Sequence, residues 1–207
     1  MNFVNSKTEA EKNDKPLVKP SQQEAENAVR VLLKWAGDDP SREGLVDTPA
    51  RVVRAYREWF SGYEQDPQKL LERTFEDVAG YSEIVTLKGI RFESYCEHHL
   101  APIIGQVHIS YIPNNRVVGI SKIARLVDAF AKRLQVQEKM TSQIANTMQT
   151  VLKPKGVAVL VEGEHHCMCT RGVHKTNSTM ISTSFTGNFL TEKDLKSEFY
   201  TIIGKRS

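Results

Sequence analysis

The stretch Ser94–Pro102, SYCEHHLAP, brings one thiol and two imidazoles together as Cys96, His98 and His99. A second cluster over Glu164–Gly172, EHHCMCTRG, adds His165, His166, Cys167 and Cys169. All three cysteines lie between positions 96 and 169 and all six histidines between 98 and 174, and the first 95 residues contain neither type. That segregation points to one site. Cys96 and His99 have the spacing at which a turn can aim two side chains at a single ion. If HHCMC is extended, His165, Cys167 and Cys169 share one face, and His166 and Met168 face away. Sulfur and nitrogen donors favour zinc over magnesium or calcium. Three protein ligands would leave a fourth position for water, as in a catalytic site, whereas Cys169 as a fourth ligand would close a structural one. The pattern alone leaves both open. His108 and His174 stand outside the clusters and read as structural groups.

The chain that must position these residues has 207 residues, enough for one domain with an appended piece and a sizeable core. Hydrophobic residues make up 40% and charged residues 26%, the balance of a globular protein. A net charge of +3 gives no footprint for nucleic acid, so no nucleic-acid partner is expected. No apolar run approaches the roughly 18 residues of a membrane helix, so no membrane partner is expected either. The N-terminus, MNFVNSKTEAEKNDKPLVKP, lacks the apolar core of a secretory signal, which makes the cytoplasm the expected compartment. An odd number of cysteines is poor material for a disulfide framework.

Along the chain, residues 1–22 are polar and proline-punctuated and read as a disordered tail. Residues 23–80 read as a helical region. QEAENAVRVLLKW carries apolar residues at helical spacing, DTPARVVRAYREW opens with Thr48 as N-cap and Pro49 at the first helical position, and a short helix follows over DPQKLLERTF. Residues 81–207 change texture. EIVTLKGIRFESY and IGQVHISYIP alternate as strands, and Asn114-Asn115 marks a turn. The helices SKIARLVDAFAKRL and QEKMTSQIANTMQTVLK come next, the second stopping before Pro154. GVAVLVEGEHHCMC and STMISTSFTGNF return to strand, and EKDLKSEFYTIIG closes as a helix. The order predicts an α+β fold, with a helix pair on one face of an antiparallel sheet.

Five motifs, REGLVDTPARV, CEHHLAP, GISKIAR, RLQVQE and HHCMCTRGV, occur in this order, and together the chain closely resembles the GTP cyclohydrolase I family from about Gln23 to its end. The resemblance implies the tunnelling fold, an antiparallel sheet with a helix pair, assembled into a ring-shaped homo-oligomer. Family members are typically decamers of two stacked pentamers, with sites built from neighbouring subunits. It implies catalytic Zn2+ held by Cys96, His99 and Cys167, and it leaves Cys169 outside the ligand set. It further implies conversion of GTP and water to 7,8-dihydroneopterin triphosphate and formate, the first step of tetrahydrofolate and pterin synthesis.

The residue types suit that reaction. Attack at C8 of guanine needs a strong nucleophile, which zinc can supply by lowering the pKa of bound water to about 7. The leaving nitrogens need protons, and imidazoles titrate near neutrality. His98 and His165 match the family's non-ligand catalytic histidines, although His98 could instead only hydrogen-bond a ligand. Ser121 matches the residue assigned to ribose opening, or caps its helix. No Walker-type glycine loop is present, so side chains must grip the triphosphate. Lys122, Arg125 and Arg171 match phosphate-contacting positions. Arg54 and Arg51, three apart after Thr48-Pro49, repeat the spacing, and an exposed helix face explains Arg51 equally well. Glu138 matches the acid that accepts from guanine N1–H and its amine, with Gln137 beside it, although an acid in a helix's first turn is favoured by the dipole alone.

Two other classes fit worse. A zinc nucleobase deaminase carries H-x-E and P-C-x-x-C, and here the elements are CEHH and CMC. A zinc-stabilised nucleic-acid module needs a closed site and a basic stripe. A family-like scaffold without turnover is disfavoured because every mapped position is filled. Kinetics, cooperativity and any regulatory protein partner are not written in the sequence.

Overall fold

The computed structural model describes residues 18–75 and 81–205. The chain divides into two compact units, the first ending at Arg54 and the second beginning at Ala55. Of the tail expected over residues 1–22, positions 1–17 lie outside the described residues, and Gln22 already opens a helix. The boundary expected at residue 80 also falls beside undescribed positions, 76–80. No described helix is long and apolar enough to cross a membrane.

The first unit holds α1 (Gln22–Trp35) and most of α2 (Thr48–Trp59). α1 begins with a reciprocal cap. The Glu24 amide donates to Ser21 Oγ at 3.3 Å, and the Ser21 amide donates to the Glu24 carboxylate at 2.8 Å. Hydrogen bonds from Ser21 hold the Glu24 carboxyl below its ordinary pKa. α2 starts at Thr48 itself, the position expected to cap it, and so one residue earlier than expected, with Pro49 buried in its first turn.

The second unit is a mixed α+β structure. After α3 (Pro67–Leu71), β1 (Thr74–Phe75) pairs with the later β4 (Val117–Val118). The main sheet has the order β5 (Leu134–Gln135), β2 (Val85–Cys96), β3 (Pro102–Ile112), β6 (Gly156–His165), β7 (Met180–Gly187). All its pairings are antiparallel except the short β2–β5 pair. Its core-facing residues alternate as the two-residue period requires. In β6, Val157, Val159 and Val161 face one core, and Ala158 and Leu160 face a second.

The first core is closed by the helix pair. α4 (Ile120–Ala131) contributes Ile123, Leu126, Val127 and Phe130, an i, i+3, i+4, i+7 stripe. α5 (Gln137–Leu152) contributes Met140, Ile144, Met148 and Leu152, four residues apart in succession. α5 ends where Lys153 takes a left-handed conformation (φ 48°) ahead of Pro154. Alternation along β2 alone would turn half of this strand the wrong way. An extra residue between Leu87 and Ile90, where β3 advances only from Ile109 to Val107, restores it, so Leu87 and Ile90 both pack on the same core. Gly89 makes the bulge by taking φ +74°.

The other sheet face departs from the one-sided arrangement predicted from sequence. The terminal helices α7 (Asn188–Thr191) and α8 (Lys193–Ile203) bring Phe189, Phe199 and Ile203 onto Ile112, Ala158 and Leu160. Beside this second core, His108 is 3% exposed. Its Nδ1 accepts from the Gly89 amide at 3.3 Å, so Nε2 carries the proton and donates to Glu162 Oε1 at 3.0 Å. Lys205, just past α8, donates to Glu162 Oε2 at 2.6 Å. The structural reading of His108 therefore stands.

Burial alone would raise the Glu162 carboxyl, but the hydrogen bonds from Lys205 and His108 outweigh it and hold it below its ordinary range. A carboxyl depressed in the folded state stabilises above its unfolded pKa, and that contribution is lost as pH falls through the folded value. Glu162→Ala should therefore cost about 1–3 kcal/mol near neutral pH by stranding the His108 donor. The gap from wild type should narrow below about pH 4, where the unfolded carboxyl protonates. Urea titrations at both pH values would check this, and a gap independent of pH would contradict it.

Candidate metal and substrate site

Cys96 is the last residue of β2, and its amide donates to the Ala101 carbonyl at 2.8 Å across the turn that leads into β3. Within that turn the Leu100 amide donates to the Cys96 carbonyl at 2.8 Å, and Leu100 takes φ 56°. This tight reversal folds His99 back toward the thiol, with His99 Nδ1 3.9 Å and His98 Nδ1 3.7 Å from Cys96 Sγ. The neighbouring β5 pins the same strand end, because the Glu97 amide donates to the Gln135 carbonyl at 3.1 Å.

The second cluster is not extended as the sequence reading has it. β6 stops at His165, and His166–Cys169 forms one helical turn, α6. In a helical turn residues 167 and 169 point apart, so the expected common face of His165, Cys167 and Cys169 does not exist. Cys167 alone joins the first cluster. One ligand atom each from Cys96, His99 and Cys167 lies within 4.8 Å of the others. Cys169 instead is buried and donates from its thiol to the Lys175 carbonyl at 3.4 Å, closing the loop after α6. Burial, then the nearby Glu164, pushes its pKa up, as suits a thiol kept protonated.

Two sulfurs and one imidazole nitrogen converging at this range, with all three cysteines free of disulfides, fit a soft or borderline divalent ion. Burial and the adjacent Cys96 sulfur push the Cys167 thiol pKa up, and Arg171 partly offsets this. A bound cation would reverse that cost by favouring the thiolates. Arg171, in the loop after α6, also donates from Nη1 to His99 Nε2 at 3.0 Å.

His165 lies on the same β6 face as Val157, Val159 and Val161, the face covered by α5. Its Nε2 is 2.9 Å from Gln137 Oε1 at the start of α5. Burial lowers its pKa, opposed by the charge of Glu138. Gln137, the expected neighbour of Glu138 in the base site, is 1% exposed, with its amide hydrogen-bonded inside the protein. Glu138, the next residue, is exposed in the first turn of α5.

Ser121 does not cap its helix. α4 begins at Ile120 with Gly119 at the cap position, and Ser121 is exposed one residue inside. Lys122 and Arg125 follow on the first turns of α4, partly and well exposed respectively. Arg51 and Arg54 are exposed residues of α2 in the first unit, and Arg51 is ion-paired to Asp47 at 3.3 Å, consistent with an ordinary helix face. His174 is an exposed loop residue with φ 49°. Sequence reasoning did not anticipate the Gln137–His165 contact, although the odd-numbered face of β6 was readable from its valines.

Fold and site thus define a mixed α+β protein with a Cys-His-Cys group that could hold a metal ion at the ends of two sheet strands. Comparison with known proteins gives the class its name. The profile of GTP cyclohydrolase I matches residues 25–204. The GTP cyclohydrolase 1 of Maricaulis maris (strain MCS10) is 59% identical over 185 residues, 89% of this chain and 90% of that one. The GTP cyclohydrolase 1 of Hyphomonas neptunium (strain ATCC 15444) is 59% identical over 187 residues, 90% of this chain and 91% of that one. The GTP cyclohydrolase 1 of Allorhizobium ampelinum is 55% identical over 188 residues, 91% and 94% of the two chains. The chain belongs to the GTP cyclohydrolase I family.

Proposed function

We propose that this protein is a zinc-dependent GTP cyclohydrolase, converting GTP and water to 7,8-dihydroneopterin triphosphate and formate at the head of tetrahydrofolate and pterin synthesis. The observation that carries the reading is the convergence of Cys96, His99 and Cys167 within 4.8 Å in a chain of this family. Those three residues would hold the zinc. When bound, the ion supplies Lewis acidity and activates water at neutral pH.

The remaining work falls to this chain's own groups. His165, half-buried and held by Gln137, exchanges protons with the guanine ring nitrogens as C8 departs as formate. His98, 3.7 Å from Cys96 Sγ and largely exposed, is the second proton-transfer group. Ser121, exposed and not needed as a cap, is available for ribose opening. Lys122, Arg125 and Arg171 grip the triphosphate, where the planar arginine fork can bind two oxygens together. Arg54 and Arg51 are further phosphate contacts in this reading.

Glu138 accepts from guanine N1–H and the exocyclic amine. Glu138→Ala should weaken GTP binding by about 1–3 kcal/mol and relax the preference for guanine. Competition between GTP and ATP measures this, and an unchanged preference would remove Glu138 from the base site.

The tunnelling fold and a ring of copies, two stacked pentamers of one chain, complete the proposal, together with a cytoplasmic location. Closure into a ring would cover the outer edge of β7, which no other described strand pairs. Sedimentation of the zinc-loaded protein reads the assembly. The function itself is tested by incubating that protein with GTP and following formate alongside fluorescence of the oxidised product. Equal amounts of the two products support the reading. Formate absent, with RNA bound instead, would overturn it in favour of a binding module.

A further inference from the structure

The Gln137 side chain sits in an arrangement that leaves it one orientation. Its Nε2 lies 3.1 Å from the Val161 carbonyl and 3.0 Å from the Met180 carbonyl, with Ser182 Oγ at 3.1 Å. Backbone carbonyls only accept, so the NH2 end of the amide must face them and Oε1 must face away. Oε1 is 2.9 Å from His165 Nε2. An amide oxygen only accepts as well, so the imidazole must donate there, which places a proton on Nε2. Two carbonyls of the sheet thereby determine the tautomer of a histidine through a single glutamine.

Neighbouring residues keep the amide in place. Thr141 Oγ1 donates to the Gln137 carbonyl at 2.7 Å and lies 2.7 Å from Ser182 Oγ, tying the first turn of α5 to β7. Gly163 leaves the space the amide occupies, since a Cβ at that position would fall 2.7 Å from Gln137 Oε1.

From this we infer that Gln137 is a positioning residue: it holds His165 as the Nε2–H tautomer and leaves Nδ1 as the ring nitrogen that meets the substrate. The consequence for chemistry is directional. With Nε2 already donating to Gln137, the proton exchanged with the guanine nitrogens travels through Nδ1, the ring's other nitrogen. Gln137 touches the reaction only through His165, which distinguishes it from its neighbour Glu138. The inference rests on the proposed function for its kinetic consequence, and on the hydrogen-bond pattern alone for the tautomer.

The test uses zinc-loaded protein labelled with 15N-histidine, in which proton–nitrogen coupling patterns identify each ring's tautomer. The His165 signal is assigned by its loss in His165→Ala. The expected result is an Nε2–H ring in the wild type, read without any turnover, and an Nδ1–H ring would overturn the inference. Gln137→Met, similar in length and without polar atoms, should lower kcat roughly 100-fold while KM for GTP and zinc content stay within about twofold. A raised KM with kcat retained would make Gln137 a substrate contact and sink the proposal. Should Gln137→Met fail to fold, Gly163→Ala displaces the amide without removing a polar group and should lower kcat in the same way. Its retention of wild-type kcat would contradict the inference. A wild-type protein that binds zinc but releases no formate would overturn the functional reading and leave the tautomer to be judged by the spectrum.

Discussion

Cys167→Ser is expected to reduce bound zinc from about one per chain to near zero and turnover by roughly 1000-fold or more, whereas Cys169→Ser should leave both close to wild type. The contrast follows from geometry. Cys167 Sγ lies within 4.8 Å of the ligand atoms of Cys96 and His99, and Cys169 turns away to the Lys175 carbonyl. A metal contributes several kcal/mol of charge stabilisation, and each 1.36 kcal/mol is tenfold in rate. Metal analysis with kinetics on the two variants settles the matter. Zinc lost equally from both would mean a closed site with Cys169 as a fourth ligand.

His165→Ala is expected to keep zinc and GTP affinity and to lose about 100- to 10,000-fold in kcat, the usual contribution of a positioned acid–base group. The ring is two residues from Cys167, yet β6 aims it at Gln137 on α5 and not at the thiol cluster. Its removal deletes a proton carrier and strands the Gln137 oxygen, and it leaves the three ligand atoms untouched. Loss of zinc in parallel with turnover would instead make His165 a ligand.

How much of this was readable in the sequence depends on how local the cause is. Cys96-x2-His99 needs only a tight reversal at a strand end, and the turn with Leu100 at φ 56° provides it. The helix pair was readable because Ile123, Leu126, Val127 and Phe130 repeat at the helical period. Cys167 was singled out by the family resemblance and not by periodicity. The extended reading of HHCMC gave equal weight to Cys169, and a single helical turn reversed that. Four residues are too few for a period to separate turn from strand.

The β2 bulge is a different kind of miss. Lys88-Gly89 breaks the alternation in the sequence, but only the pairing with β3 shows that the break keeps Leu87 and Ile90 on one core. The covering of the second sheet face by α8, and the reach of Gln137 to His165, depend on contacts between distant segments. A side chain's partner 28 positions away leaves no trace in local pattern.

As proposed, one metal ion held by Cys96, His99 and Cys167 makes this chain turn over GTP. Titrating zinc into metal-depleted protein while measuring formate release tests it most directly. The expected result is no release without metal and a linear rise that saturates at about one zinc per chain. Full turnover in the depleted protein, or zinc binding at that stoichiometry with no formate released, would contradict it.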